Sequence, residues 1–261
     1  MAKSNYVIYK NVKVHYVQDG ESLGKSVPTL FLHGWEGSVE SFMFVAKEIE
    51  GEKILIDFPP FGESEKLKDV WGLEDYVNVV KLVLSRCHIE RYDIVAHSFG
   101  GRVALILGCG LNVGKMVLTG CAGIKDRSLK TKCRVLGFKA KKFLCRCGLY
   151  SGEKLRGQGS ADYLKLDSIM RQTFNNIINN DLRNILKCVE SEVLLLWGEK
   201  DVAVPLKDAK LMQKKIKNCG LYVFDGGSHF CYIENSSAFI GAVKLFLGKW
   251  ERCAYDKAMK S

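Results

Sequence analysis

The sequence predicts an α/β fold in which a mostly parallel, eight-stranded sheet carries helices on both faces. Short runs of β-branched and aliphatic residues recur, and each later run is followed by a longer segment with helical spacing of apolar residues. This alternation is typical of parallel strands joined by helices. The later runs are apolar almost throughout, as expected of strands covered on both faces. The predicted strands are 6–9, 12–17, 29–33, 53–57, 92–97, 115–119, 192–197 and 221–225.

The first two strands differ from the others, because they follow each other closely and alternate polar with apolar residues. We therefore expect an antiparallel hairpin at one edge of the sheet. The segments between the later strands have helical periodicity and predict the connecting helices. These helices are predicted over 39–49, 73–88, 98–109, 206–217 and 236–250.

The alternation fails only between residues 124 and 188, where helical patterns at 129–143 and 169–185 occur without a strand. We interpret this segment as a helical insertion that forms a cap over the open end of the sheet, with a polar loop at 151–160. Residues 1–123 and 189–261 would then form the core. No internal repeat is present.

Nearly all of the formal charge of +10 lies in this insertion, since residues 121–160 contain eleven basic and two acidic residues. A solvated helix face explains such a run without any function. An electrostatic attraction for anionic substrates and an interfacial amphipathic helix remain open as alternatives. Nucleic acid is disfavoured, because no binding motif accompanies the charge.

The bulk composition predicts a single domain of 261 residues in the cytoplasm. The chain shows neither a bilayer-spanning apolar run nor a secretory signal. The ten cysteines are therefore expected as free thiols in a reducing compartment. Cys145 and Cys147 lack a second ligand pair at zinc-site spacing, so neither a metal nor another cofactor is expected. The sequence leaves the oligomeric state open.

Four strand ends hold the candidate reactive groups, since ligands of open parallel sheets bind at the carboxyl ends of the strands. Ser98 follows the strand 92–97 and directly precedes a helical run. A serine on such a tight turn requires small neighbours, and Ala96 and Gly100 supply them. The turn also places the hydroxyl at the positive end of the next helix. Ser98 is the candidate nucleophile.

The strand 29–33 ends in a second informative turn, at His33, Gly34 and Trp35. Gly34 allows the backbone to turn so that a neighbouring amide points into the site. The amides of Trp35 and Phe99 are predicted to form an oxyanion hole, in which each donor is worth a few kcal/mol of the barrier. His33 and His97 beside these turns are assigned structural roles.

A serine hydroxyl requires a positioned base, and the base requires an orienting acid. His229 follows the last strand in a glycine-bearing loop, and Asp201 follows the strand 192–197. Asp225 and Asp126 remain alternatives for the acid. Among the remaining polar residues, Asp57 is expected to hydrogen-bond within the turn after its strand, Glu63 and Ser64 to lie near the pocket mouth, and His15 and His88 to be surface or edge residues.

Five motifs in this order resemble the α/β-hydrolase fold family of the capped serine type, which includes esterases, carbon–carbon hydrolases and haloperoxidases. The resemblance covers about residues 5–250 and implies a mobile cap, no cofactor and an acyl-enzyme. Ala96 departs from the commonest elbow, which begins with glycine. Relatives that cleave carbon–halogen bonds or epoxides carry Asp at the position of Ser98, so those reactions are disfavoured. The motifs are HGW (33–35), DFPPFGES (57–64), AHSFGG (96–101), GEKD (198–201) and GSH (227–229).

The sequence therefore predicts a serine hydrolase that cleaves a carboxylic ester or related acyl bond of a small molecule. The substrate is expected to be anionic or to carry an acyl chain. Two alternatives remain: a non-catalytic ligand-binding homologue of the same fold, and an interfacial lipase that works at a membrane surface, which is not favoured.

Overall fold

The computed structural model describes residues 2–20, 27–125 and 166–248. Its strands are β1 (Lys3–Tyr9), β2 (Val12–Asp19), β3 (Thr29–Leu32), β4 (Lys53–Ile56), β5 (Tyr92–His97), β6 (Val113–Thr119), β7 (Glu192–Gly198) and β8 (Cys219–Phe224). The described α-helices are α1 (Glu40–Ala46), α2 (Leu73–Arg86), α3 (Phe99–Leu107), α4 (Ser168–Asn179), α5 (Leu206–Lys215), α6 (Cys231–Glu234) and α7 (Ser236–Leu247).

The strands form one eight-stranded sheet in the order β1-β2-β4-β3-β5-β6-β7-β8. Strand β2 is antiparallel to both β1 and β4, and all other neighbouring pairs are parallel. The predicted mostly parallel sheet with an antiparallel hairpin at one edge is therefore confirmed. Because β3, β5, β6, β7 and β8 run in the same direction, their carboxyl ends meet at one edge of the sheet.

Helices cover both faces of the sheet, as the apolar strands predict. Helices α2, α3 and α5 bury residues such as Val80, Val103 and Met212 in one core cluster. Helices α1 and α7 bury Phe42 and Phe239 in the cluster on the other side. The strands contribute alternating residues to the two clusters, so the sheet is a buried central layer.

Differences from the predicted elements occur mainly at their ends. The last helix ends at Leu247, three residues earlier than predicted, and Gly248 then adopts a left-handed conformation with φ 70°. A glycine after the last helical turn is a common helix stop, because it adopts this conformation without a steric cost. The four-residue helix α6 was not predicted, since it is too short to show a period.

The predicted insertion at 124–188 is described only in part. The helical pattern at 129–143, the loop at 151–160, Cys145, Cys147 and every basic residue of the run except Lys125 lie outside the described residues. The described remainder contains helix α4 and two 3-10 turns, Leu182–Asn184 and Leu186–Cys188.

Helix α4 lies against the core through specific polar contacts. Arg102 of α3 donates from Nη1 to the carbonyls of Ile177 and Asn180, at 3.1 and 2.9 Å. The amide of Trp71 donates to Thr173 Oγ1 at 3.0 Å. The Arg102 side chain is buried, and burial lowers its pKa, so these bonds to carbonyls at the helix end help to compensate the buried charge.

Three further properties concern the cysteines, the possible metal ligands and the helices of the described residues. Cys87, Cys109, Cys121, Cys188, Cys219 and Cys231 are free thiols. The described part of the chain contains no group of three His, Cys, Asp or Glu side chains arranged to hold a metal ion. In the same ranges, every helix is too short or too polar to span a bilayer.

Candidate active site

Ser98 occupies a strained turn between β5 and α3. Its backbone has φ 48° and ψ −106°, a region that residues with a side chain rarely adopt. The Ser98 amide donates to the carbonyl of Thr119, and the Ser98 carbonyl accepts from the amide of Ala122, both at 3.1 Å. Both polar backbone groups of Ser98 are thus bound to the segment at the end of β6, which holds the turn in place.

Gly100 permits the close contact between this turn and β3. A Cβ atom at Gly100 would lie 2.3 Å from the Leu32 carbonyl oxygen and 2.7 Å from that of His33. The Gly100 amide donates to the His33 carbonyl at 3.1 Å. The first turn of α3 therefore packs directly on the backbone of the neighbouring strand end, where a side chain has no room.

Replacing Gly100 by Ala is expected to destabilise the protein by about 3 kcal/mol, because the new methyl group would overlap backbone atoms that cannot rotate away. The free energy of unfolding in urea measures this effect. Gly241→Ala is the matched control, since it lies within α7 and its Cβ would meet nothing within 4 Å. The control should be neutral or stabilising by up to about 1 kcal/mol. Equal stability of the two variants would contradict the packing argument.

The turn at Gly34 and Trp35 contacts the serine directly. A Cβ atom at Gly34 would lie 3.4 Å from Ser98 Cβ and 2.6 Å from His97 Nδ1. Within the described residues, the amides of Trp35 and Phe99 donate no hydrogen bond. Two free N–H donors therefore belong to Ser98's own turn and to a turn packed against it.

His33 supports the same turn from inside. Its Nε2 accepts from the amide of Phe58 at 2.9 Å, so its Nδ1 carries the proton and donates to the Gly34 carbonyl at 2.7 Å. Burial lowers the pKa of His33, which keeps the ring neutral. The neutral imidazole links the segment after β4 to the Gly34 turn.

His229 and Asp201 form a hydrogen-bonded pair just beyond the carboxyl ends of β8 and β7. Nδ1 of His229 lies 2.8 Å from Oδ2 of Asp201, whose side chain is fully buried. The other carboxylate oxygen, Oδ1, accepts from the amides of Ala203 and Val204 at 2.9 and 2.8 Å. A carboxylate that accepts three bonds fixes the proton of the imidazole on Nδ1 and leaves a lone pair on Nε2.

The turn after β6 contacts both this pair and the backbone of Ser98, and among the described residues no hydrogen bond joins the Ser98 hydroxyl to His229. Gly120 has φ 51°, and a Cβ atom on it would lie 2.9 Å from His229 Cε1 and 3.4 Å from Asp201 Oδ2. The preceding residue, Thr119, accepts the amide hydrogen bond of Ser98. The serine and the His229–Asp201 pair therefore both rest on one turn.

The loop that carries His229 is held by bonds on both sides. The amide of Lys200 donates to the Gly227 carbonyl at 2.8 Å, and Glu234 accepts from the amide and the hydroxyl of Ser228. A Cβ atom on Gly198 would lie 2.1 Å from the Ser228 carbonyl oxygen, so the loop lies directly against the end of β7. Glu234 was missed by the sequence analysis, because its partner is recognisable only from the folded loop.

His97 lies between the loop that carries His229 and the turn at Gly34. It is buried, its Nε2 lies 3.1 Å from the His229 carbonyl oxygen, and the two rings have centroids 4.6 Å apart. Burial, with a smaller effect from His229, lowers the pKa of His97 to about 3. The neutral ring donates from Nε2 to that carbonyl and packs with its other edge against Gly34. The structural role assigned to His97 thus consists of holding the backbone of His229.

The low pKa of His97 predicts a loss of stability in mild acid. Its pKa is about 6.5 when unfolded and about 3 when folded, so the unfolded state binds more protons between these values. Stability should therefore fall as the pH drops below 6.5, on the order of 2 kcal/mol between pH 7 and pH 5. Urea unfolding at both pH values measures the difference. The difference in unfolding free energy between the two pH values should shrink by about 2 kcal/mol in His97→Gln. It should stay unchanged in His88→Asn, which replaces an exposed histidine. An unchanged difference in His97→Gln would contradict the assignment.

The remaining polar candidates differ in burial, and one of them is not described. Asp225 is exposed, and Asp126 lies outside the described residues. Asp57 is buried and hydrogen-bonds within its turn, accepting from the amide of Glu63 at 2.9 Å. The expectation that His15 is a surface residue is wrong. It is 1% exposed, because its ring is enclosed by groups distant in sequence, including Asp57.

Aromatic side chains form an apolar wall beside Ser98. The ring of Trp35 makes edge contacts with Phe61, Phe99 and Phe174, with centroids 5.0, 5.7 and 5.0 Å apart. Phe174 belongs to helix α4, so the described part of residues 124–188 contacts Trp35. Neither Phe61 nor Phe174 was predicted as a site residue from the sequence, although Phe61 lies inside the motif at 57–64.

Residues 29–242 match the family model described as "Alpha/beta hydrolase family". The chain belongs to this family of hydrolases, as the sheet topology and the motifs at the strand ends indicate.

The proteins to which this chain is similar include named hydrolases and an uncharacterised protein. The chain is 24% identical to a 2-hydroxy-6-oxo-2,4-heptadienoate hydrolase of Pseudomonas putida, over 86% of this chain and 90% of the relative. It is likewise 24% identical to an uncharacterised protein of Mycobacterium tuberculosis, over 90% and 79%. An esterase from Exiguobacterium antarcticum superposes with a TM-score of 0.74 at 19% identity, over 94% of this chain and all of the esterase.

Proposed function

We propose that this hydrolase cleaves a carboxylic ester, or a related acyl bond, of a small molecule through an acyl-enzyme formed on Ser98. The observation that supports the proposal most is the hydrogen bond of 2.8 Å between His229 Nδ1 and Asp201 Oδ2. This pair packs against Gly120, and the preceding residue, Thr119, accepts from the amide of Ser98. A nucleophile, a base with a free lone pair and an orienting carboxylate are what serine-dependent acyl transfer requires.

The proposed reaction begins when Nε2 of His229 takes the proton of the Ser98 hydroxyl as Oγ attacks the carbonyl carbon. The amides of Trp35 and Phe99 donate to the oxyanion, and Asp201 stabilises the imidazolium. His229 then gives the proton to the leaving alcohol, and Ser98 keeps the acyl group. Water, deprotonated by the same imidazole, releases the acid and regenerates the serine hydroxyl.

The acyl group is proposed to lie against the apolar wall of Trp35, Phe61, Phe99 and Phe174. We further propose that residues 124–188 act as a cap domain over the site, because helix α4 supplies Phe174 and is bound to α3 through Arg102. Such a wall favours an apolar acyl chain over a polar one. The basic run of the same segment would favour an anionic group elsewhere on the substrate.

A second candidate is cleavage of a carbon–carbon bond, which the Pseudomonas putida relative suggests. The compound in that relative's name contains no ester, so its hydrolysis must break a carbon–carbon bond. The esterase from Exiguobacterium antarcticum has the same fold and points to ester cleavage. Ester cleavage and carbon–carbon cleavage are both hydrolase reactions on the same fold. Only the substrate that the protein turns over distinguishes them.

Labelling with a fluorophosphonate probe tests whether Ser98 is activated at all. We expect a stoichiometric adduct on Ser98, located by peptide mass spectrometry, and loss of this adduct in His229→Gln. An unlabelled Ser98 in the folded protein would overturn the proposal in favour of a non-catalytic binding protein.

A substrate panel then separates the reaction types. Esters, thioesters and lactones of graded size are compared with a 2-hydroxy-6-oxo dienoate, and we expect the highest kcat/KM for an ester with an apolar acyl group. Turnover of the dienoate alone would identify a carbon–carbon hydrolase. An abrupt rise of ester hydrolysis above the substrate's solubility limit would identify an interfacial lipase.

A further inference from the structure

A second serine, histidine and aspartate are hydrogen-bonded in series at the antiparallel edge of the sheet. Ser4 Oγ lies 2.9 Å from His15 Nε2, and His15 Nδ1 lies 2.7 Å from Asp57 Oδ2. Ser4 is on the edge strand β1, His15 on β2, and Asp57 directly follows β4. His15 and Asp57 are each 1% exposed, whereas Ser4 is exposed to solvent. Ser98, His229 and Asp201 take no part in these bonds.

The bonds of Asp57 determine which atom of His15 is basic. Besides His15, the carboxylate accepts from the amide of Val39 at 2.6 Å and from that of Glu63 at 2.9 Å. With these amide N–H groups as donors, the carboxylate oxygens of Asp57 act as hydrogen-bond acceptors. The imidazole therefore carries its proton on Nδ1, and the lone pair on Nε2 accepts from the Ser4 hydroxyl. The exposed serine thus faces a base that a buried carboxylate orients.

Charged and aromatic groups near this cluster keep His15 in position. Glu63 Oε2 lies 3.9 Å from His15 Nε2 and accepts from the Tyr6 hydroxyl at 2.8 Å. The Tyr6 ring packs on the imidazole with centroids 5.2 Å apart, and Lys13 Nζ lies 3.8 Å from the centre of the Tyr6 ring. The Glu63 carboxylate therefore lies within Coulombic range of the positive charge that His15 gains during a proton transfer.

We propose that Ser4 is a second reactive hydroxyl and a site of covalent modification by activated acyl donors, such as thioesters, acyl phosphates and activated esters. Ser4 Oγ would form a bond to the acyl carbon while His15 Nε2 takes the hydroxyl proton. The bond from that carbon to the leaving group breaks, and the leaving group takes the proton from His15. No oxidant or further reactant is required.

The surroundings of Ser4 limit the reaction to donors with good leaving groups. Ser4 lies within a β-strand, whereas Ser98 precedes a helix whose first amide is free. A strand provides no aligned helix amides to stabilise the oxyanion, and such stabilisation is usually the largest single contribution to acyl transfer. We therefore expect the ester on Ser4 to accumulate rather than turn over.

The test uses the Ser98→Ala protein, so that the proposed active site cannot react. The protein is treated with p-nitrophenyl acetate, and acetylated serines are mapped by tandem mass spectrometry, with hydroxylamine treatment to distinguish esters from acetyl-lysine. General-base assistance is worth about 10²-fold or more, so Ser4 should be acetylated at least about 100 times faster than Ser85 and Ser237. These two serines are exposed, and among the described residues their side chains make no bond to an imidazole.

Two further variants in the Ser98→Ala background check the assignment. Ser4→Ala should abolish the mapped ester, and His15→Gln should reduce the rate at Ser4 to that of Ser85. If His15→Gln does not fold, the acetylation rate of Ser4 relative to those of Ser85 and Ser237 in the Ser98→Ala protein still tests the proposal. Equal rates at the three serines would overturn the proposal and leave the Ser4–His15 bond as a structural contact only. This result is independent of the activity of Ser98.

Discussion

Replacing Ser98 by Ala is expected to lower kcat for a short p-nitrophenyl ester by at least about 10⁴-fold. The substitution removes the only atom that can form the acyl-enzyme in the proposed reaction, while the oxyanion donors and the binding surface remain. A small residual rate from these groups is therefore expected. Steady-state kinetics with the purified variant, after size-exclusion chromatography to exclude contaminating esterases, measure the effect.

The unfolding transition of Ser98→Ala must be compared with that of the parent protein, because the residue at 98 has a positive φ in either case. The matched control is Ser85→Ala, which removes the hydroxyl of an exposed serine on α2 and should retain the parent kcat. Retention of most of the activity by a folded Ser98→Ala variant would show that another residue is the nucleophile.

Replacing Asp201 by Asn is expected to lower kcat by about 10³- to 10⁴-fold through the tautomer of His229. The amides of Ala203 and Val204 donate to Oδ1, so the oxygen of an asparagine should stay there and its NH₂ group should face His229 Nδ1. Nδ1 would then have to accept a hydrogen bond, which moves the imidazole proton to Nε2. A protonated Nε2 cannot take the proton of Ser98.

The matched control for this substitution is Asp225→Asn, because Asp225 is an exposed aspartate close in sequence to His229. Its kcat should match that of the parent protein. The kcat of Asp201→Asn should be measured at high pH as well, where solvent hydroxide partly replaces the base and should recover some activity. A larger loss in Asp225→Asn, or in Asp126→Asn, would move the role of the acid to that residue.

The sheet could be predicted from the sequence because its signals are local. The strands between 29 and 225 are short apolar runs that alternate with helical segments, and their carboxyl ends carry the motifs. Parallel neighbours place those ends at one edge, so Ser98, Asp201 and His229 could be grouped before any contact was known. The ends of elements were less predictable, as the helix that ends at Leu247 shows.

The contacts that support the site could not be predicted, because they join residues far apart in the chain. His15 lies in a strand that alternates polar and apolar residues, which suggests an exposed side chain. Its side chain is buried and hydrogen-bonded to Asp57, 42 positions later. Similarly, the bond from His97 to the carbonyl of His229 spans 132 positions. A histidine's sequence neighbours do not reveal which partner encloses it.

The turn at the end of β6 has a consequence for how the protein would lose activity on heating. Thr119 binds the amide of Ser98, and Gly120 packs against His229, so nucleophile and base share a support in a central strand of the sheet. Buried central strands open with free energies that approach the free energy of global unfolding. Local fluctuations at the sheet margins would therefore leave the geometry of this site intact, and inactivation would follow the cooperative melting of the core.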